Sequence, residues 1–95
     1  MARISLREAK RLIALWSKGT FATRTASIKY HFVRHGLEVS AGDVWKYLRK
    51  AEAFEKNLRG AKMNNLSNAA TRYTKKGYYL IRDQAGKILS FGIER

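Results

Sequence analysis

The stretch Thr71-Arg72-Tyr73-Thr74-Lys75-Lys76-Gly77-Tyr78-Tyr79-Leu80-Ile81-Arg82-Asp83-Gln84-Ala85-Gly86-Lys87-Ile88-Leu89-Ser90-Phe91 decides the fold. Three short runs, 71–74, 78–81 and 88–91, are rich in β-branched and aromatic residues. Between them, Lys76-Gly77 and Gln84-Ala85-Gly86 have the chemistry of hairpin turns. The spacing predicts three antiparallel strands in a meander. Side chains alternate along a strand, so Arg72 and Thr74 share one face and Tyr73 and Lys75 the other. Ser90 takes the face that Leu89 and Phe91 do not use. Upstream, Asn64, Asn65, Ser67 and Asn68 mark residues 61–69 as a loop.

The rest of the chain has helical periodicity. Ser5 with Glu8 forms a capping box, and Leu6, Ala9, Leu12, Ile13 and Trp16 then share one face of a helix over 6–18, stopped by Gly19. A second helix is expected over 21–35, with Thr20 as its cap and Gly36 as its stop. Its apolar stripe is Phe21, Ile28, Phe32 and Val33. A third is expected over 41–58, from the capping pattern of Ser40 and Asp43 to Gly60. It carries Val44, Tyr47, Leu48, Ala51, Phe54 and Leu58 on one side and Lys46, Arg49, Lys50 and Lys56 on the other. Helices first and an antiparallel sheet last give an α+β class, with N-terminal helices packed on a short C-terminal sheet. A chain of 95 residues makes one domain at most. Residues 20–92 read as its core, with 1–19 open between a helical extension and part of the fold.

Lys and Arg number 20 against 7 acidic residues, a formal charge of +13. The excess is spread along the chain, so it belongs to the domain and not to a tail. Such a surface attracts polyanions: nucleic acid first, an anionic membrane surface second. The absence of cysteine excludes disulfides and thiolate metal sites. No apolar run approaches the roughly 18 residues of a membrane-spanning helix, so no membrane anchor is expected. Lys10 and Arg11 interrupt what would be the core of a signal peptide.

Both histidines lie in Tyr30-His31-Phe32-Val33-Arg34-His35-Gly36. On a helix, His31 and His35 share a face. They read either as structural groups, His35 at a helix C-terminus and His31 at a core edge, or as a proton-transfer pair working near neutral pH. A metal site of His31, His35 and Glu38 is a third reading, disfavoured by the shortage of further ligands. Asp43 and Asp83 sit at a cap and a turn, which argues against a magnesium nuclease. RNA can be cut without metal or other cofactor, because its 2′-hydroxyl already lies beside the phosphorus. The protein then supplies a base, an acid and donors for the developing charge. Arg72, Thr74 and Ser90 are candidates for the last role. Lys29, Arg34, Lys46, Arg49, Lys50 and Lys75 are candidates for phosphate contacts. Tyr78 and Tyr79 either stack bases or pack the sheet. A non-enzymatic alternative joins the first two helices through Gly19-Thr20 as a helix-turn-helix that binds DNA, with Arg24, Lys29 and Arg34 on the nucleic acid. A basic module that binds ribosomal RNA is a third.

The segments 27–38 (Ser27 to Glu38), 45–54 (Trp45 to Phe54) and 86–92 (Gly86 to Gly92) resemble the C-terminal toxin domains of bacterial polymorphic and contact-dependent inhibition systems. The similarity is to the colicin D-like ribonucleases, within the fold group of barnase, EndoU and the RelE toxins, over about residues 20–92. The resemblance implies helices packed on an antiparallel sheet, and metal-independent cleavage of RNA, often tRNA near the anticodon. It implies that His35 is the catalytic acid or base, with Arg34 and Ser90 matching family positions; related toxin domains carry a His-Phe pair at His31-Phe32, and His31 is expected as the second proton carrier or a phosphate ligand. The tryptophan that such domains place just beyond the serine is replaced here by Phe91-Gly92. The resemblance further implies a monomeric toxin domain, delivered into the cytoplasm of a target cell and neutralised by an acidic immunity protein.

Overall fold

Ser5 opens the first helix as its spacing to Glu8 predicts: its hydroxyl accepts from the Glu8 N–H at 3.1 Å. The computed structural model describes residues 4–94. Helices α1 (Leu6–Ala14), α2 (Arg24–His35) and α3 (Val44–Glu55) precede strands β1 (Lys62–Asn65), β2 (Thr71–Lys75), β3 (Tyr78–Arg82) and β4 (Ile88–Ile93). The strands form one antiparallel sheet in the order β1-β2-β3-β4. The α+β arrangement with helices packed on a C-terminal sheet is the one the sequence predicts.

Every helix is shorter than its periodicity suggested. α1 stops at Ala14 because the next residues leave it to join the sheet. The Ile88 N–H donates to the Leu15 carbonyl and the Ser17 N–H to the Ile88 carbonyl, both at 2.8 Å. Trp16 thereby forms a parallel bridge with Ile88 and enters the core from an extended segment, not from a helix. α2 is capped by Thr23, whose hydroxyl accepts from the Ala26 N–H at 3.1 Å, and not by Thr20. α3 is capped by Asp43, which accepts from the Lys46 N–H at 2.9 Å, and ends at Glu55, short of Gly60. Residues 62–65, expected as loop, form the edge strand β1. All four of its residues are exposed. Backbone pairing to β2 and a hydrogen bond from the Thr71 hydroxyl to Asn65 Oδ1 hold it, so it carries no apolar alternation for a sequence to show.

The core lies between the helices and one face of the sheet. Leu12, Trp16, Ile28, Val39, Tyr47, Leu48, Leu80, Ile88 and Phe91 are its large buried members. Burying a side chain of this size stabilises by about 1.5–3 kcal/mol. Leu12 and Trp16 are wholly buried, so α1 and the turn after it contribute to the same core as α2, α3 and the sheet. The connection between α1 and α2 spans residues 15–23 and pairs with β4, unlike the tight turn of a helix-turn-helix.

The register separates two faces. Arg72, Thr74, Tyr79, Ile81, Ser90 and Gly92 point to one side, because Arg72 is opposite Ile81, Thr74 opposite Tyr79, Ile81 opposite Ser90 and Tyr79 opposite Gly92. Tyr73, Lys75, Tyr78, Leu80 and Phe91 point to the other, where α3 packs. There the buried Tyr47 hydroxyl donates to the Phe91 carbonyl at 2.5 Å, and Phe54 lies against Phe91. α2 lies along β4. Ile28 and Phe32 face the core, and the two histidines reach over the sheet edge onto the opposite face.

Candidate active site

Helical spacing brings His31 and His35 into a parallel stack, with ring centroids 5.9 Å apart and planes 10° from parallel. They meet two hydroxyls from the sheet. His35 Nε2 lies 3.2 Å from the Tyr79 hydroxyl, which lies 2.9 Å from Ser90 Oγ, which in turn lies 3.4 Å from His31 Nδ1. On its other side, His35 Nδ1 lies 3.0 Å from the Glu38 carboxylate. With Glu38 ionised, the Nδ1–H donates to it, and neutral His35 then offers Nε2 as acceptor to the Tyr79 hydroxyl. The five side chains form one hydrogen-bonded chain from His31 to Glu38.

The two histidines sit in different surroundings. Aromatic rings wall in His31: Tyr30 at 5.1 Å and Trp16 and Phe21 each at 6.1 Å between centroids. This burial, then the nearby His35 and Arg34, lowers the His31 pKa to about 4. At neutral pH His31 is therefore an uncharged imidazole, able to accept a proton. His35 is held by the Glu38 carboxylate instead.

Arg72 completes the group. Its guanidinium lies over the Tyr79 ring, 4.5 Å from the centroid. Thr74 is directly opposite Tyr79 on the same sheet face. Gly92 forms the floor beneath both rings. A Cβ there would stand 2.9 Å from the Tyr79 ring and 3.0 Å from His35 Nδ1, so only glycine lets them approach this closely.

No protein-family model matches this chain, and no curated protein or solved structure matches it either.

Of the candidates named from sequence, His31, His35, Ser90 and Arg72 meet in one cluster, Thr74 lies beside it and Arg34 flanks His31. The others do not join it. Lys29 projects from the other side of α2, beside Phe32 and Trp45. Lys46, Arg49 and Lys50 are exposed on α3, the helix that packs on the opposite face of the sheet. Lys75 faces that side too, and its ammonium donates to the Asn57 and Arg59 carbonyls at 2.8 and 2.6 Å. Sequence reasoning missed Tyr79 as the connecting hydroxyl, Glu38 as the partner of His35, and Gly92. Strand alternation carried a signal for Tyr79 and Gly92, since both share the parity of Ser90 once the register is known. Among the described residues, no group of three or more His, Cys, Asp or Glu is placed to hold a metal ion.

Proposed function

We propose that this protein is a metal-independent endoribonuclease of the toxin type, acting on RNA of the tRNA class. The observation that carries the reading is the stacked histidine pair, joined through Tyr79 and Ser90 beside Arg72 on one sheet face of a basic domain. His31, neutral at pH 7, takes the proton of the 2′-hydroxyl. The 2′-oxygen forms a bond to phosphorus and the bond to the 5′-oxygen breaks. His35 enters the step as an imidazolium with Glu38 on its Nδ1–H, gives the leaving oxygen its Nε2 proton and becomes the neutral ring that accepts from Tyr79; the products are a 2′,3′-cyclic phosphate and a 5′-hydroxyl. Arg72 stabilises the charge that develops on the phosphorane oxygens. After one turnover His31 holds the extra proton and His35 lacks one. The Ser90–Tyr79 bridge resets the pair: His31 Nδ1–H passes a proton to Ser90, Ser90 to Tyr79, and Tyr79 to His35 Nε2. Arg34, beside His31, is suited to holding the RNA backbone.

A DNA-binding reading through a helix-turn-helix finds less support, because the α1–α2 connection is tied to β4. An acidic protein that closes the basic face would inhibit the enzyme, as the resemblance to toxin domains implies.

The test is incubation of the purified protein with total bacterial RNA in excess EDTA, beside a His35→Ala control. Discrete tRNA fragments ending in 2′,3′-cyclic phosphate, made by the unaltered protein alone, are expected. Intact RNA with both proteins, while binding persists, would overturn the enzymatic reading.

A further inference from the structure

On the side of the sheet away from the histidines, a groove of about 280 Å³ runs between the C-terminal half of α3 and the β2–β3 turn. Phe54, Tyr78 and Phe91 make its aromatic wall, and Lys50, Asn57 and Lys76 stand around its mouth. Tyr78 is 36% exposed, and its ring is held parallel to Phe91, 8° between planes, with Phe54 packed at 6.2 Å. Tyr78 thus presents its ring to solvent, backed by the buried Phe91 and by Phe54. The Lys75 ammonium is spent on the Asn57 and Arg59 carbonyls and builds the back of the groove. Lys50 and Lys76 are exposed at its lips.

We infer that this groove is a second RNA subsite, which holds a nucleotide a few residues along the chain from the scissile bond. The inference rests on the ribonuclease reading and specifies its substrate as an extended single-stranded segment. Binding of single strands without base pairing combines cations that follow the backbone with aromatic faces on which bases stack. The groove supplies both. The Asn57 amide adds a donor and an acceptor of the kind a base edge needs. A peptide occupant fits less well. β2 and β3 are each paired on both sides, so the groove offers no open strand edge for an extended peptide.

Position supports the same occupant. Tyr78 and Tyr79 are consecutive, so alternation sends one ring to the groove and the other to the histidines. Both lie at the end of β3 next to the Lys76–Gly77 turn. An RNA strand that rounds this end of the sheet passes from one site to the other.

The experiment compares cleavage of a dinucleoside monophosphate with cleavage of a long unstructured RNA, by the unaltered protein, Tyr78→Leu and Lys76→Asn. Leucine keeps an apolar side chain against Phe91, and asparagine suits the positive φ of +52° at Lys76, so both variants are expected to fold. For Tyr78→Leu, the ratio of kcat/KM on the long RNA to that on the dinucleotide should fall about tenfold, the scale of one lost stacking contact. For Lys76→Asn it should fall less, and the loss should shrink with added salt. An unchanged ratio in both variants overturns the subsite. Cleavage of tRNA in total bacterial RNA but of neither substrate also overturns the extended-strand subsite, whereas failure of the unaltered protein to cut any of the three overturns the ribonuclease reading instead. The groove is then judged by binding of a 2′-deoxy oligonucleotide followed by fluorescence anisotropy: weaker binding by Tyr78→Leu upholds a nucleic-acid groove, and equal binding refutes it. If an acidic tyrosine-rich peptide shifts the Tyr78 NMR resonances and the oligonucleotide does not, the groove belongs to a protein partner and the inference falls.

Discussion

Replacing Gly92 by alanine adds a single carbon at the centre of the proposed site. That carbon would meet the Tyr79 ring at 2.9 Å and His35 at 3.0 and 3.2 Å. Ordinary carbon contacts begin near about 3.5 Å, so each ring must retreat by roughly half an ångström. The Tyr79–His35 hydrogen bond starts at 3.2 Å, and such a retreat by either ring takes it out of hydrogen-bonding range. Overpacking of this kind costs about 1–3 kcal/mol in stability. Misplacing a reacting group by about an ångström costs about a hundredfold in rate. The backbone argues the other way: Gly92 has no positive φ, and alanine in a strand is favoured over glycine by about 0.5–1 kcal/mol. Urea unfolding and RNA cleavage on the same preparation separate the two effects. A destabilised protein with cleavage reduced about a hundredfold is expected. A variant more stable than the parent and equally active would refute the close approach of Gly92 to His35 and Tyr79, and with it the geometry assigned to the site.

Three further outcomes are expected. Tyr79→Phe keeps the ring under Arg72 but removes the bridging hydroxyl; cleavage should drop about tenfold or more while the melting temperature changes little. His31 is lowered to about 4 in the folded protein, against an ordinary value of 6.5, so the unfolded chain takes up its proton first. The stability contributed by neutral His31 is complete above pH 6.5 and is lost as pH falls toward 4; for a partly solvated ring the loss is about 1–2 kcal/mol. Urea titrations at pH 7 and pH 4.5 should show this slope in the parent and its absence in His31→Gln. Leu12→Ala should cost about 2–5 kcal/mol by leaving a cavity beneath α1. A cost near zero by thermal unfolding would mean that α1 is not part of the core.

The elements that bury a stripe were legible in the sequence. Tyr47, Leu48 and Ala51 announced α3, and the turns at 76–77 and 84–86 announced the hairpins. What escaped was decided by tertiary pairing. Trp16 continues the periodicity of α1, yet its segment is worth more as a backbone partner of β4 than as another helical turn. β1 is held mainly by main-chain bonds and buries no apolar side chain, so Met63, 62% exposed, gave no sign of it. The site divides in the same way. His31 and His35 were readable because helical spacing is local. Ser90 and Arg72 were readable as polar groups of known strand parity. Tyr79 resembled core packing, and it is indeed only 9% exposed. Its role depends on a hydroxyl that meets a residue 44 positions away, which no local pattern encodes. The basic residues of α3 show the opposite case: a solvated helical face looks the same in sequence whichever side of the sheet it adorns, so spacing alone did not place Lys46, Arg49 and Lys50 away from the histidines.

The chain of contacts from His31 to Glu38 is drawn from α2 and the loop after it at both ends and from β3 and β4 in its middle, across sequence separations of 44 and 59. On the proposed reading, neither part cuts RNA alone. A chain whose helices have formed but whose last hairpin has not yet docked carries both histidines and remains inert. During refolding, activity should therefore return with the slow phase of strand pairing, not with the fast gain of helical signal. On a ribosome, the histidines would emerge well before the strands that complete the site. On the proposed ribonuclease reading, the RNA of the cell making this chain meets the assembled site only once folding is finished.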